Sequence, residues 1–264
     1  MMDLSREKFD IIIQGGQSNA EGCGKGPVAN ELVPSPNCFY LQAVKTTFID
    51  ETNLHITFPD VPFQISIASE LRENDEILGD FSLTFAQEYE RLGLLKEGRK
   101  LLIVRAAVGG SGFQKGHWGL KNILHRKMIE LVDYALSLNP ENRVVCFLWH
   151  QGEHDAFEGN KPEVYHDQLT EMISDVRKRY GNMPFIAGDF VSEWKSKNLD
   201  SCNPIVAVIR RVLHEVGKSA FIETYDLLSN NQTISNGDDI HFSRQSLHVL
   251  GRRYFDCYCG LITQ

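Results

Sequence analysis

Short, unbroken apolar runs alternate with helical patterns along most of this chain, and that alternation restricts the fold more than any other feature. Runs over 9–13, 101–107, 144–149, 185–190 and 219–225 are rich in β-branched and apolar residues without alternating in polarity, as strands buried on both faces are. Between them, periodic stretches over 82–92, about 120–138, 162–180, 204–216 and 244–258 predict helices, the first with Ser82 as its cap. Strand followed repeatedly by helix implies βαβ units with right-handed crossovers. The expected fold is therefore α/β, with a parallel five-stranded sheet covered by helices on both faces. With 264 residues and no linker, low-complexity run or internal repeat, one domain over 1–264 is expected. Residues 23–79 interrupt the pattern: five of the nine prolines fall there and neither period is sustained. Such a length without regular structure reads as an insertion over the carboxyl end of the sheet, where it would set specificity.

Composition narrows the classes of function. With 42% hydrophobic and 23% charged residues the chain can bury a core, which separates it from disordered and collagen-like sequences. Its formal charge of −8 argues against nucleic acid as a partner, since phosphate binding needs a clustered basic footprint. Arg177-Lys178-Arg179 and Arg210-Arg211 both fall in helical stretches and read as solvated faces. No apolar run approaches the ~18 residues that cross a bilayer, and the first ten residues, with Asp3, Arg6, Glu7, Lys8 and Asp10, lack the hydrophobic stretch of a secretory leader. The expectation is a cytoplasmic protein without a membrane partner, secretion being the alternative if a leader has been removed. The six cysteines, Cys23, Cys38, Cys146, Cys202, Cys257 and Cys259, are scattered and expected to be reduced.

Ligands of parallel sheets bind beyond the carboxyl ends of the strands, so the residues that follow each predicted strand carry the functional argument. After the first strand comes Gln14-Gly15-Gly16-Gln17-Ser18-Asn19-Ala20-Glu21-Gly22; after the second, Gly109-Gly110-Ser111-Gly112; after the third, His150-Gln151-Gly152-Glu153-His154-Asp155. Asp238-Asp239-Ile240-His241 precedes the last helix. A serine behind two glycines at a strand-to-helix turn can present its hydroxyl to a cleft, but a hydroxyl is a weak nucleophile and needs a base. His241 is the best placed imidazole, and Asp238, three residues upstream, can orient it within one turn. Gly109 and Gly110, lacking Cβ atoms, allow backbone N–H groups to approach a substrate closely.

The Gly-Gln-Ser-Asn block around Ser18, the run from Trp149 to Asp155 and the block from Asp238 to His241 together resemble the SGNH hydrolase superfamily. The specific likeness is to its sialate O-acetylesterase-like and acetylxylan esterase-like branch, carbohydrate esterase family six. The resemblance spans Ile12 to about Arg253. It implies a three-layer flavodoxin-like sheet and a serine esterase that needs neither metal nor cofactor. Ser18 would be the nucleophile, His241 the base and Asp238 its orienter; the N–H groups of Ser18 and Gly110 and the side-chain amide of Gln151 would form the oxyanion hole. The substrate would be an O-acetylated carbohydrate, of the xylo-oligosaccharide or the sialic acid type. Phe39, Tyr40, Phe63 and Trp118 are available as a sugar platform or as core.

Some readings stay open. Glu153 competes with Asp238 for the acid that contacts His241; otherwise it would brace the oxyanion loops or bind sugar hydroxyls. His150-x-x-Glu153-His154 also fits a zinc protease pattern, but that chemistry needs both histidines on one helical face, and here the stretch follows a strand and contains Gly152. Neither glycine-rich turn completes a nucleotide-binding motif. A non-catalytic carbohydrate-binding protein on an esterase fold, or an esterase of non-carbohydrate short-chain esters, are the alternatives in function, and the oligomeric state is left open.

Overall fold

The structure, a computed structural model, describes residues 4, 6–50 and 53–263; Asp3, in the stretch read for a leader, lies outside the described residues. The elements run β1 (Lys8–Gly16), α1 (Ser18–Glu21), β2 (Cys38–Gln42), β3 (Thr46–Asp50), β4 (Asn53–Thr57), β5 (Gln64–Ile67), β6 (Leu71–Glu73), β7 (Glu76–Leu78) and α2 (Phe81–Arg91). They continue with β8 (Arg99–Arg105), α3 (Ile123–Ser137), β9 (Arg143–His150), α4 (Glu153–Phe157), α5 (Pro162–Tyr180), β10 (Phe185–Gly188) and α6 (Ser192–Lys197). The last four are α7 (Leu199–Val216), β11 (Ser219–Ile222), α8 (Asn230–Ile234) and α9 (Arg244–Ile262). The main sheet has the order β11-β10-β9-β1-β8-β2-β5, and every pair in it is parallel except β5 against β2.

All five expected strands are present, as β1, β8, β9, β10 and β11. Their runs are continuous because both faces are covered. Ile11, Ile13, Leu102, Val104 and Trp149 join a core with Met128 of α3, Leu169 of α5 and Ile209 of α7. Ile12, Leu101, Ile103 and Leu148 point the other way, toward Phe85 of α2 and Leu250 and Tyr254 of α9. The sheet nevertheless has seven strands, not five. The two extra ones come from the irregular stretch: β2 pairs with β8 from Cys38 opposite Leu101 to Gln42 opposite Arg105, and β5 closes that edge. Residues 23–79 therefore extend the sheet as well as approaching its carboxyl end, with β3–β4 and β6–β7 as two separate antiparallel pairs.

Smaller differences have local causes. Asp80, not Ser82, caps α2: its Oδ1 accepts both the Ser82 N–H and the Ser82 hydroxyl at 2.8 Å, a carboxylate taking the position a hydroxyl would otherwise fill. α7 starts at Leu199 and carries Pro204 inside it, and α9 continues to Ile262. Phe39, Tyr40 and Trp118 are buried core residues and so form no sugar platform, while Phe63, half-buried, packs edge-on against Tyr134. The basic clusters are occupied as well. Arg177 donates to the carbonyls of Val216, Gly217 and Lys218, while Arg210 and Arg211 pair with Glu223 and Glu163. All six cysteines are free thiols. Among the described residues no helix is long and apolar enough to cross a membrane.

Candidate active site

β1 ends against β9 with Gly15 opposite Trp149 and Gly16 opposite His150. Both positions demand glycine. A Cβ on Gly15 would lie 2.8 Å from the Phe147 ring, and one on Gly16, at φ +128°, would lie 2.0 Å from the His150 carbonyl oxygen. That carbonyl accepts the Gln17 N–H at 3.0 Å, which turns the chain so that Ser18 opens α1 at the carboxyl end of the sheet.

His241 arrives from the opposite end of the sequence, on the loop between α8 and α9. Its Nε2 lies 2.9 Å from Ser18 Oγ and its Nδ1 lies 2.9 Å from Asp238 Oδ2. An ionised carboxylate only accepts, so Nδ1 carries the proton and Nε2 presents a lone pair to the serine hydroxyl. Burial alone would raise Asp238, but hydrogen bonds from His241 and Asn230 hold its carboxyl below the usual range. Burial likewise opposes charge on His241, yet the Asp238 carboxylate together with the neighbouring Cys23 sulfur outweighs it and holds the imidazole above the ordinary histidine value. Two asparagines fix the loop. Asn230 donates to Asp238 Oδ2 at 2.9 Å, while Asn19, beside Ser18, donates to the Ile240 carbonyl and accepts the Phe242 N–H at 3.0 Å.

The turn after β8 lies against the serine. A Cβ on Gly109 would stand 3.5 Å from Ser18 Cβ, and Gly110 adopts φ +70°. Neither Ser18 N nor Gly110 N donates a hydrogen bond among the described residues, which leaves both backbone donors free. Gln151, expected as the third donor, is arranged differently. It is 1% exposed, and its Nε2 stands 2.5 Å from Asp155 Oδ2, with Gln17 Oε1 and Ser111 O as further acceptors. Its Oε1 accepts from Tyr165. A buried carboxyl group is the strongest acceptor in reach, so Asp155 holds the amide. Asp155 also accepts the Phe113 and Gln114 N–H groups, fixing the chain just beyond the glycine-rich turn.

Glu153 does not touch His241. Completely buried, it accepts from Asn19 at 2.9 Å, and burial raises its pKa. His150 ends β9 with its Nδ1 3.1 Å from the Tyr254 hydroxyl, whereas His154 belongs to α4, so the two histidines of the zinc-like pattern sit on different elements. Among the described residues no three His, Cys, Asp or Glu side chains gather as a metal-binding group. Asn230 and Lys45 were invisible as site residues because nothing local in sequence ties them to Ser18, whereas Glu21 stood three residues after it, on the same helical turn. Asn19 and Asp155 stood inside quoted blocks, where adjacency to Ser18 and Glu153 was the available signal.

The chain from residue 8 to 260 matches the family model described as carbohydrate esterase, sialic acid-specific acetylesterase. A probable 9-O-acetyl-N-acetylneuraminic acid deacetylase from Escherichia coli (strain K12) is 22% identical over 230 residues, covering 73% of this chain and 70% of that protein. Among solved structures, NanS superimposes with a TM-score of 0.73 at 17% identity over 98% of both chains. A carbohydrate acetylesterase from Xanthomonas citri gives 0.65 at 18% identity over 96% of this chain and 56% of its own. At these identities the structural likeness establishes the fold.

Proposed function

The chain belongs to the sialic acid-specific acetylesterase family of carbohydrate esterases, and from that membership we propose that it deacetylates an O-acetylated sugar of the sialate type through an acyl-enzyme on Ser18. The observation that carries the reading is the continuous line from Asp238 through His241 to Ser18, with 2.9 Å on either side of the imidazole. Ser18 Oγ attacks the acetyl carbonyl carbon as its proton passes to His241 Nε2. The oxyanion accepts from the N–H groups of Ser18 and Gly110, each such donor being worth roughly a hundredfold in rate. His241 then protonates the departing sugar oxygen. Water, deprotonated by the same nitrogen, attacks acetyl-Ser18 and releases acetate. The whole site and its covering stretch are read as one domain.

The sialate arm rests on the family and on the name of the Escherichia coli relative. A cavity of about 300 Å³ opens beside the site at the carboxyl ends of β8 and β2; Lys45, Arg105 and Lys127 line it together with Glu21, which pairs with Lys45, while Lys127 pairs with Glu130. The test is a comparison of kcat/KM over O-acetylated sialic acids, acetylated xylo-oligosaccharides, acetylated monosaccharides and p-nitrophenyl acetate, with Ser18→Ala alongside. Acetylated sialic acids should lead the panel, and Ser18→Ala should lower kcat by roughly 10⁵-fold. Preference for xylo-oligosaccharides would overturn the substrate; a fully active Ser18→Ala would overturn the mechanism.

A further inference from the structure

The dipeptide Gly109-Gly110 is the most pliant sequence that could carry an oxyanion donor, because glycine loses more conformational freedom on ordering than any other residue. An oxyanion hole works only when its donors are held at the developing charge before reaction. Something must therefore hold this turn. α1, the single helical turn that Ser18 opens, closes with Glu21, whose Oε2 accepts the Gly109 N–H at 2.6 Å. The other carboxylate oxygen receives Lys45 Nζ, which also donates to the Ala107 carbonyl at 3.1 Å. Arg105 closes the ring by donating to the Glu21 backbone carbonyl. Lys45 comes from the irregular stretch between β2 and β3, so that segment contributes an amine to the site. The ammonium and carboxylate are each about a third exposed, at 28% and 31%. An exposed ion pair adds little to stability, so its placement on the Gly109 N–H calls for another explanation.

We propose that Glu21 and Lys45 brace the Gly109–Gly110 turn so that the Gly110 N–H meets the oxyanion, which makes Glu21 a positioning residue for the hydrolysis. The inference rests on the acyl-enzyme reading above. Glu21 does not act on the substrate; it acts through the peptide that it holds. Because the braced group matters only when charge develops on the carbonyl oxygen, loss of the brace lowers kcat and leaves ground-state binding intact.

The experiment measures kcat, KM and the inhibition constant of methylboronic acid for wild type, Glu21→Ala, Glu21→Gln, Lys45→Met and Ser18→Ala. The boronic acid takes the serine oxygen onto boron, its proton passing to His241, and so forms a tetrahedral anion that occupies the oxyanion site. Glu21→Ala should lower kcat by roughly 10- to 100-fold with KM within about threefold, and boronate affinity should fall by the same factor as kcat. Glu21→Gln, which keeps a carbonyl oxygen for the Gly109 N–H, should recover most of the loss. Lys45→Met should give a smaller, parallel loss, and it serves as the readout if Glu21→Ala does not fold. Wild-type kcat in Glu21→Ala or Lys45→Met overturns the brace, as does a lowered kcat with unchanged boronate affinity. A raised KM at constant kcat would make Glu21 a substrate contact instead. An active Ser18→Ala would refute the acyl-enzyme reading itself, an outcome distinct from failure of the brace.

Discussion

Two carboxylates compete in sequence for one role, and the regions that hold them are opposites. Asp238 sits on the α8–α9 loop, 25% of its side chain open to solvent, and receives hydrogen bonds from His241 Nδ1, the His241 N–H and Asn230. Glu153 opens α4 with none of its side chain exposed; Asn19 donates to it, while among the described residues its second oxygen has no side-chain partner. Donors favour the ion and burial disfavours it, so the two environments drive the pKa values apart, Asp238 downward and Glu153 upward. A carboxylate that must stabilise an imidazolium needs the first environment. Glu153 reaches the His241 loop only through Asn19, which holds the Ile240 carbonyl and the Phe242 N–H.

The largest test of this contrast is the paired truncation. Asp238→Ala should lower kcat by about 10³- to 10⁴-fold, the scale of losing the orienting acid of a triad. Glu153→Ala should cost far less in kcat, because His241 keeps its carboxylate. Steady-state kinetics on one acetyl ester decides between them, and the reverse order would transfer the acid role to Glu153.

Next in size is the pH dependence. The base must be neutral to accept the serine proton, so kcat/KM rises with pH as the free enzyme's His241 loses its own. Asp238 stabilises the imidazolium, which places the midpoint of that rise above the ordinary histidine value of about 6.5. The same sign governs stability: the His241–Asp238 pair contributes fully below the unfolded histidine pKa and is lost as pH climbs through the raised folded value. Asp238→Asn should move the acid limb of kcat/KM downward while lowering its plateau. A wild-type limb centred below 6.5 would mean that Asp238 does not act on the imidazole as an anion.

What sequence could and could not reveal follows range of contact. The runs of β1, β8 and β9 were legible because two covered faces leave a continuous apolar signature. β2 was not, since Cys38–Gln42 becomes a strand only by pairing with β8, sixty-odd residues on, and prolines upstream mask any period. Asp238 and His241 could be coupled in advance because they stand three positions apart. Ser18 joined them by its place after β1 and by likeness to known blocks. The bond from Gln151 to Asp155 was not legible, because a side-chain pair inside one short block has no periodic signature. Glu21 and Lys45 lie on separate elements and meet only in three dimensions.

The smallest effect concerns the proton on Glu153. Its neighbour His150 donates from Nδ1 to the Tyr254 hydroxyl, whose own proton goes to the Trp149 carbonyl, so His150 Nε2 turns a lone pair toward the Glu153 carboxyl 3.8 Å away. Burial lowers His150 to about 3, so His150 supplies no imidazolium to compensate a glutamate anion. Two acceptors facing each other in a dry site favour a protonated carboxyl group. Since the folded pKa is raised, the stability associated with Glu153 is complete below the unfolded value of about 4.3 and declines as pH rises toward the folded one. Glu153→Gln supplies the neutral shape permanently and keeps an oxygen for Asn19. Its melting temperature should match wild type near pH 4 and exceed it by a few degrees at pH 8, with kcat within a few-fold. A glutamine variant less stable than wild type at pH 8 would show that Glu153 is held as an anion, and the contrast with Asp238 would fail.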